Sequence, residues 1–309
     1  MAASSSGRWI SRGVGAGADF EIERQHIEQQ LDYICSTYLN ILPAPIAEAV
    51  RYGLKSPGKR IRPLLLLFAY RAAGGQGDAT MLACAPEVIH AYSLMHDDLP
   101  CMDDDDMRRG RPTVHKVHGS RTAILAGVAM IPLASRVVRD SARAMSLTET
   151  VSKKILDTLL QAAGGSGMIG GQLRDLAGEG LQLSLDEREE IHSAKTGALI
   201  VAALRMGALA AGSDATELAA LAHYGRSIGL AFQIMDDVLD VTSTTTAMGK
   251  TTGRDAVLGK STYPALLGVD GARKRAQTLI EDGLERLAAH KLLTQELSQV
   301  ANFMVTRTS

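Results

Sequence analysis

From about Phe20 onward, apolar positions recur at intervals of three and four residues, the period of an amphipathic helix. The plainest case is Leu218, Leu221, Gly225, Ile228, Phe232, Met235 and Leu239. Their 3,4,3,4,3,4 spacing predicts one long helix that starts near Ala215 and buries this stripe. Beside it runs a second line, Gly229, Gln233, Asp236 and Asp240, at 4,3,4 spacing, with Asp237 on its flank. A polar line adjoining a buried one on the same helix predicts the rim of a cavity. Capping boxes are predicted at Ser146-x-x-Glu149, Ser184-x-x-Glu187 and Asp214-x-x-Glu217. Gly/Ser/Thr-rich clusters at Gly74–Gly77, Gly164–Gly167 and Thr242–Thr246 separate the periodic segments. No alternating run of useful strand length appears. The pattern predicts an all-α fold: one large helical domain over residues 21–309, behind a tail over residues 1–20.

Composition narrows this picture. Of 309 residues, 46% are hydrophobic and only 4% aromatic, which suits close helix packing. A net charge of −1 argues against a nucleic-acid partner. The three cysteines, Cys35, Cys84 and Cys101, show no disulfide spacing, so a reducing, cytoplasmic setting is expected. Cys101 lies among carboxylates, where a thiolate is disfavoured, and is not expected to be a nucleophile. Unbroken apolar runs such as Leu64–Ala69 are short, and no membrane span is expected. Residues 1–18 hold no acidic residue and no apolar signal core; they read as a disordered tail or a transit-peptide remnant, so organellar import stays open.

The chemistry begins at His96-Asp97-Asp98-Leu99-Pro100, where six carboxylates fall between positions 97 and 106 and Arg108 and Arg109 follow at once. Carboxylates so close raise one another's pKa unless a cation sits among them. A hard divalent cation with oxygen ligands, Mg²⁺, accounts for the cluster. Forked arginine donors then suggest a phosphate on the metal. Asp97, Asp98 and Asp103 have the form DDxxxxD. A straight helix would set Asp97 and Asp103 about 240° apart; Pro100 predicts a break near Leu99 that lets Asp103 return. Ser93 and His90 lie further back on the same face.

Asp236-Asp237-Val238-Leu239-Asp240 is a second cluster, DDxxD. Asp236 and Asp240 are i and i+4, about 5–6 Å apart at Cβ on one helix face, and can share metal ions. Two such clusters facing one cavity suggest several Mg²⁺ ions on a diphosphate. Basic residues for a second anion occur in Gly58-Lys59-Arg60-Ile61-Arg62-Pro63, at Lys195-Thr196-Gly197, and at Lys250 and Lys260.

With these motifs in order, the chain resembles the trans-prenyl diphosphate (polyprenyl) synthases of the farnesyl and geranylgeranyl diphosphate synthase type. The resemblance rests on GKRIRP at 58–63, IHAYSLMHDDLPCMDDDDMRRGRPT at 89–113, GGQLRDL at 170–176, KTGALI at 195–200, GLAFQIMDDVLD at 229–240 and GKSTYPALLG at 259–268. It implies antiparallel helices around a deep central cavity, a homodimer, and head-to-tail condensation of isopentenyl diphosphate with an allylic diphosphate. It implies Mg²⁺, up to three ions, with Mn²⁺ as a substitute. By the same resemblance Lys59, Arg62, His90 and Arg109 bind isopentenyl diphosphate. Asp97, Asp98, Asp103, Asp236 and Asp240 ligate metal, and Arg108, Lys195, Thr196, Gln233, Lys250 and Lys260 hold the allylic diphosphate.

Three departures from the family pattern stand out: Pro57-Gly58 for Gly-Gly, Gly127-Val128-Ala129 for Gly-Asp-Ala, and His118-Gly119-Ser120 without its usual acidic residue. Tyr92 lies five residues before Asp97, about 7.5 Å back along the helix. With Ser93 beside it, it is the expected floor of the cavity and predicts a C15 product. A C20 product is the alternative. A non-catalytic subunit and a class I terpene cyclase are the competing classes; two intact acidic motifs and the basic knot at 58–63 disfavour both.

Overall fold

The computed structural model describes residues 20–242 and 262–306. Within them the chain is helical: α1 (Glu21–Tyr38), α2 (Ala44–Leu54), α3 (Ile61–Ala72), α4 (Thr80–Asp97), α5 (Val114–His118), α6 (Ser120–Ala144), α7 (Glu149–Ala163), α8 (Met168–Ala177), α9 (Leu185–His192), α10 (Ala198–Ala211), α11 (Ala215–Thr242), α12 (Tyr263–Ala289) and α13 (Gln295–Thr306). A π-helical turn, Ser193–Gly197, joins α9 to α10. The hydrophobic pattern did not reveal a two-residue hairpin, in which Met107–Arg108 pairs antiparallel with Arg111–Pro112. Arg109 and Gly110 turn it with φ of 53° and 74°, both in the left-handed region that matches hairpin twist.

The long α11 begins where its stripe predicted. Leu221, Ile228, Met235 and Leu239 are buried, and Leu218 and Phe232 are partly so. Its main partner is α12; α4 packs on α6, and α3 on α10. One connected apolar core runs from Phe20 to Met304. Phe20 meets the Phe68 ring at 4.9 Å, so the core starts one residue before the expected domain boundary at residue 21.

Asp237 departs from its expected place on the flank of the α11 polar stripe. It is 3% exposed and accepts a 3.0 Å hydrogen bond from the Tyr263 amide at the start of α12. A carboxylate at a helix N-terminus satisfies an orphan N–H and meets the positive end of the macrodipole. Asp237 thereby pins the end of α11 to α12, while Asp236 and Asp240 stay on the half-buried rim.

The expectation of no membrane-length apolar segment needs correction. Ser120–Ala144 and the continuous stretch Leu185–Ala211 both have the length and composition to cross a membrane, each with mean hydropathy 1.4. Small and polar residues interrupt the apolar runs, which hid their overall hydropathy. The second stretch is 72% buried inside the bundle and the first 44%.

Two of the three predicted caps form. Ser184 and Glu187 make a reciprocal capping box before α9, and Asp214 accepts from the Thr216 and Glu217 amides before α11. The cap expected at Ser146 is instead Thr148, whose hydroxyl accepts from the Val151 amide at 3.3 Å. Ser146 sits in the preceding turn with φ of 55°. Thr148→Ala should therefore lower stability in urea unfolding by about 1 kcal/mol, while Ser146→Gly should change it by less than about 0.5 kcal/mol.

Candidate active site

The acidic run is sorted by the end of α4. The helix stops at Asp97, with Asp98 as its C-cap residue. As the Pro100 break predicted, the chain folds back: the Asp103 amide donates to the Asp97 carbonyl at 2.9 Å, and that of Asp104 to Leu99 at 3.1 Å. Asp103 thus returns to Asp97 although six residues separate them. Asp98 turns inward, is 3% exposed, and accepts from Arg108 Nε at 2.6 Å. Arg108 also reaches Asp105, and Asp106 pairs with Lys116 at 3.0 Å. Asp104, Asp106 and His115 bring possible ligand atoms within 4.8 Å of one another, a grouping the sequence reading did not single out.

Burial pushes the Asp97 carboxyl up to about 6; Lys195 opposes the shift, and neighbouring Asp103 adds to it. This all-oxygen set is under-neutralised by the cations in the structure, and a hard divalent cation fits it. Lys195 acts on Asp97 from the π turn. Single π turns inside α-helices recur at functional sites.

Two glycines allow that turn to be reached from both sides. A Cβ at Gly171 of α8 would lie 2.2 Å from the Lys195 backbone nitrogen, and one at Gly229 of α11 would lie 3.2 Å from Gly197 Cα. The α8 contact brings Asp175, 6% exposed, within 2.7 Å of Lys195 Nζ, and Arg188 Nη1 holds its other oxygen at 3.2 Å. Asp175 was not expected among the site residues; the only sequence signal for it is its place in the GGQLRDL motif at 170–176. On the other side, Gln233 lies one turn beyond Gly229 on the rim stripe, followed by Asp236 and Asp240, all half-buried. The turn carrying Lys195 and Thr196 therefore touches α11 and faces the carboxylates that end α4.

The basic knot divides by role. Arg60 is 4% exposed and satisfied by Glu87 at 2.7 Å, Glu28 at 2.7 Å and the Leu54 and Ser56 carbonyls, so it anchors α3 to α4 and α1. Lys59 lies exposed over the Phe303 ring at 5.0 Å. Arg62 Nε is buried without a hydrogen-bond partner, and burial lowers its guanidinium pKa to about 10, with Glu87 opposing and Arg109 adding. Burial and four arginines, Arg62 foremost, hold His90 neutral. Arg109 donates to the Pro57 carbonyl at 2.8 Å, so the Pro57-Gly58 departure still seats this arginine. A buried guanidinium nitrogen without a protein partner, beside other cations, is suited to receive an anion.

Tyr92 is 7% exposed and meets the His96 ring edge-on at 4.9 Å. Ser93 donates to the His90 carbonyl one turn back at 2.9 Å. Lys250 and Lys260 lie outside the described residues.

Comparison with known proteins identifies the family. Residues 43–299 match the polyprenyl synthetase family. The farnesyl diphosphate synthase of Escherichia coli is 44% identical over 94% of this chain and 99% of its own length. A chloroplastic geranylgeranyl pyrophosphate synthase of Arabidopsis thaliana is also 44% identical, over 79% of this chain and 69% of its own. The solved geranyltransferase of Helicobacter pylori, complexed with magnesium and isoprenyl diphosphate, superposes with a TM-score of 0.78 at 31% identity, covering 96% of this chain and 98% of that one. On the family match and on identity spanning nearly the whole chain, this protein belongs to the polyprenyl synthetase family.

Proposed function

We propose that this chain is a short-chain trans-prenyltransferase. It condenses isopentenyl diphosphate with dimethylallyl and then geranyl diphosphate, giving farnesyl diphosphate. The observation that supports the reading best is that the π turn bearing Lys195 packs against α11 at Gly229, while Lys195 acts on Asp97 at the end of α4.

Asp97, Asp98 and Asp103 on one side, and Asp236 and Asp240 on the other, would hold Mg²⁺, up to three ions, with Mn²⁺ as a substitute. Bound there, the metal supplies Lewis-acid stabilisation of charge on the departing diphosphate. Lys195, oriented by Asp175, and Arg108, held by Asp98, meet the same charge with their donors; Lys250 and Lys260 complete the allylic site. Such donors bind the separating diphosphate more tightly than the ester, which is what lowers the barrier. The hydroxyl of Thr196 and the amide oxygen of Gln233 turn their dipoles toward the allylic carbon as its C–O bond breaks. Lys59, Arg62, His90 and Arg109 hold isopentenyl diphosphate, and the unpartnered Arg62 Nε supports that assignment. The C4–C1 bond forms between isopentenyl and allylic units, and the proton lost from the isopentenyl C2 passes to the departed diphosphate. Apolar walls keep water from the cation.

Tyr92 closes the cavity and limits the product to C15. Residues 21–309 act as one domain, in the cytoplasm. The protein works as a homodimer, a reading supported by Ile124, Leu125 and Val128, which leave an apolar face of α6 42–55% exposed.

Incubation with isopentenyl diphosphate, dimethylallyl diphosphate and Mg²⁺, followed by chromatography of the dephosphorylated products, should yield farnesol as the main alcohol. A cyclic hydrocarbon, or no product, would overturn the assignment. Asp97→Ala and Asp236→Ala should each reduce turnover on the order of a hundredfold or more; turnover within a few-fold of the parent would remove them from the metal site. Tyr92→Ala should lengthen the product, and an unchanged length would remove Tyr92 as the floor.

A further inference from the structure

Gly127 lies buried inside the 25-residue helix α6. Glycine is the poorest non-proline helix former, so an enclosed one in a helix interior calls for a reason. Here a Cβ would sit 2.1 Å from His96 Nε2 and 2.5 Å from Cδ2. The atoms it would strike are the far end of a side chain rather than the α4 backbone. Gly127 is therefore a socket for the imidazole, and an added methyl would expel the ring without prising the two helices apart.

The seated ring makes two contacts. Its Nε2 lies 3.1 Å from the Ile124 carbonyl, so the ring carries its proton there and donates. Its other contact is with Tyr92, one turn back on α4, at 4.9 Å between centroids and 74° between planes. Edge-to-face aromatic contacts of this kind hold both rings in one rotamer. The χ1 wells open to Tyr92 on α4 send its ring in different directions, and only some of them block a growing chain.

We infer that His96, seated on Gly127, is the positioning residue that holds Tyr92 across the cavity and so sets product length. The inference rests on the reading of Tyr92 as the floor. Chain length is then governed by three residues on two helices, and two of them never touch the product. Swinging His96 off Gly127 frees the Tyr92 ring, and a further isoprene unit can pass.

The test is the C20:C15 product ratio of the full chain at fixed isopentenyl and dimethylallyl diphosphate with Mg²⁺. This ratio is insensitive to losses of overall turnover that His96 variants would suffer beside Asp97. Gly127→Ala and His96→Leu should each raise the ratio about tenfold, equivalent to ~1.4 kcal/mol between the two outcomes. In a Tyr92→Ala background, Gly127→Ala should add nothing further, because its effect passes through that ring. If Gly127→Ala does not fold by circular dichroism, His96→Leu carries the test. An unchanged ratio in the folded variants, with Tyr92→Ala lengthening the product, overturns this inference and leaves the floor standing. An undiminished Gly127→Ala effect in the Tyr92→Ala background also overturns it. Unchanged product length in Tyr92→Ala itself removes the floor and this inference together.

Discussion

Like charges held close in a low-dielectric interior repel strongly, and the arrangement of this protein answers that repulsion. Six carboxylates enter through the short stretch that ends α4, and the chain sorts them among several surroundings. Asp98 goes inward to Arg108, Asp105 shares the same arginine, and Asp106 pairs with Lys116. Asp97 and Asp103 meet where the chain folds back, and Lys195 only partly offsets the burial of Asp97. That residual repulsion is what the proposed metal would neutralise. The same logic in reverse governs the arginines around His90, which crowd one another and leave a buried guanidinium nitrogen unpaired.

Holding such groups apart at short range requires stiff supports. Asp175, fixed by Arg188, grips Lys195 from behind, so the ammonium cannot collapse onto the carboxylates it faces. Asp237 does comparable work on the opposite wall by tying the end of α11 to the first amide of α12. Arg60 spends its donors on Glu28, Glu87 and two carbonyls, and so fixes the frame from which Lys59 and Arg62 extend. Buried networks of this sort are costly when half satisfied and rigid when complete.

What the sequence made legible follows from local rules. Pro100 implied the return of Asp103, the 3,4 stripe implied α11, and i, i+4 spacing put Asp236 and Asp240 on one face. What it hid depends on partners distant along the chain. Nothing local separates Arg60 from Arg62, since the difference is that Glu28 and Glu87 converge on one of them. Nothing local makes Asp237 a helix anchor rather than a third rim carboxylate, because Tyr263 arrives 26 residues later. Asp175 needed the Gly171 contact with the Lys195 backbone to become a site residue. The displaced cap has a local cause: Ser146 matches the capping-box spacing, but its left-handed turn takes it out of the cap, and Thr148 caps α7 without a Glu or Gln three residues on.

The π turn at Ser193–Gly197 carries one further consequence. A π turn holds an additional residue relative to α-geometry, and each residue in an α-helix advances the chain by about 100°. The faces presented by α9 and α10 are thus out of phase by one residue, and both are correct only because the extra one is accommodated between them. Deleting any single residue of the turn would let the helix run through as continuous α. It would then either rotate Leu199, Ile200, Ala203 and Leu204 out of the core or carry Lys195 away from Asp175. The length of this segment is therefore as strictly determined as its chemistry, and losing one residue from it, even one that takes no part in the site, is enough to disturb the site.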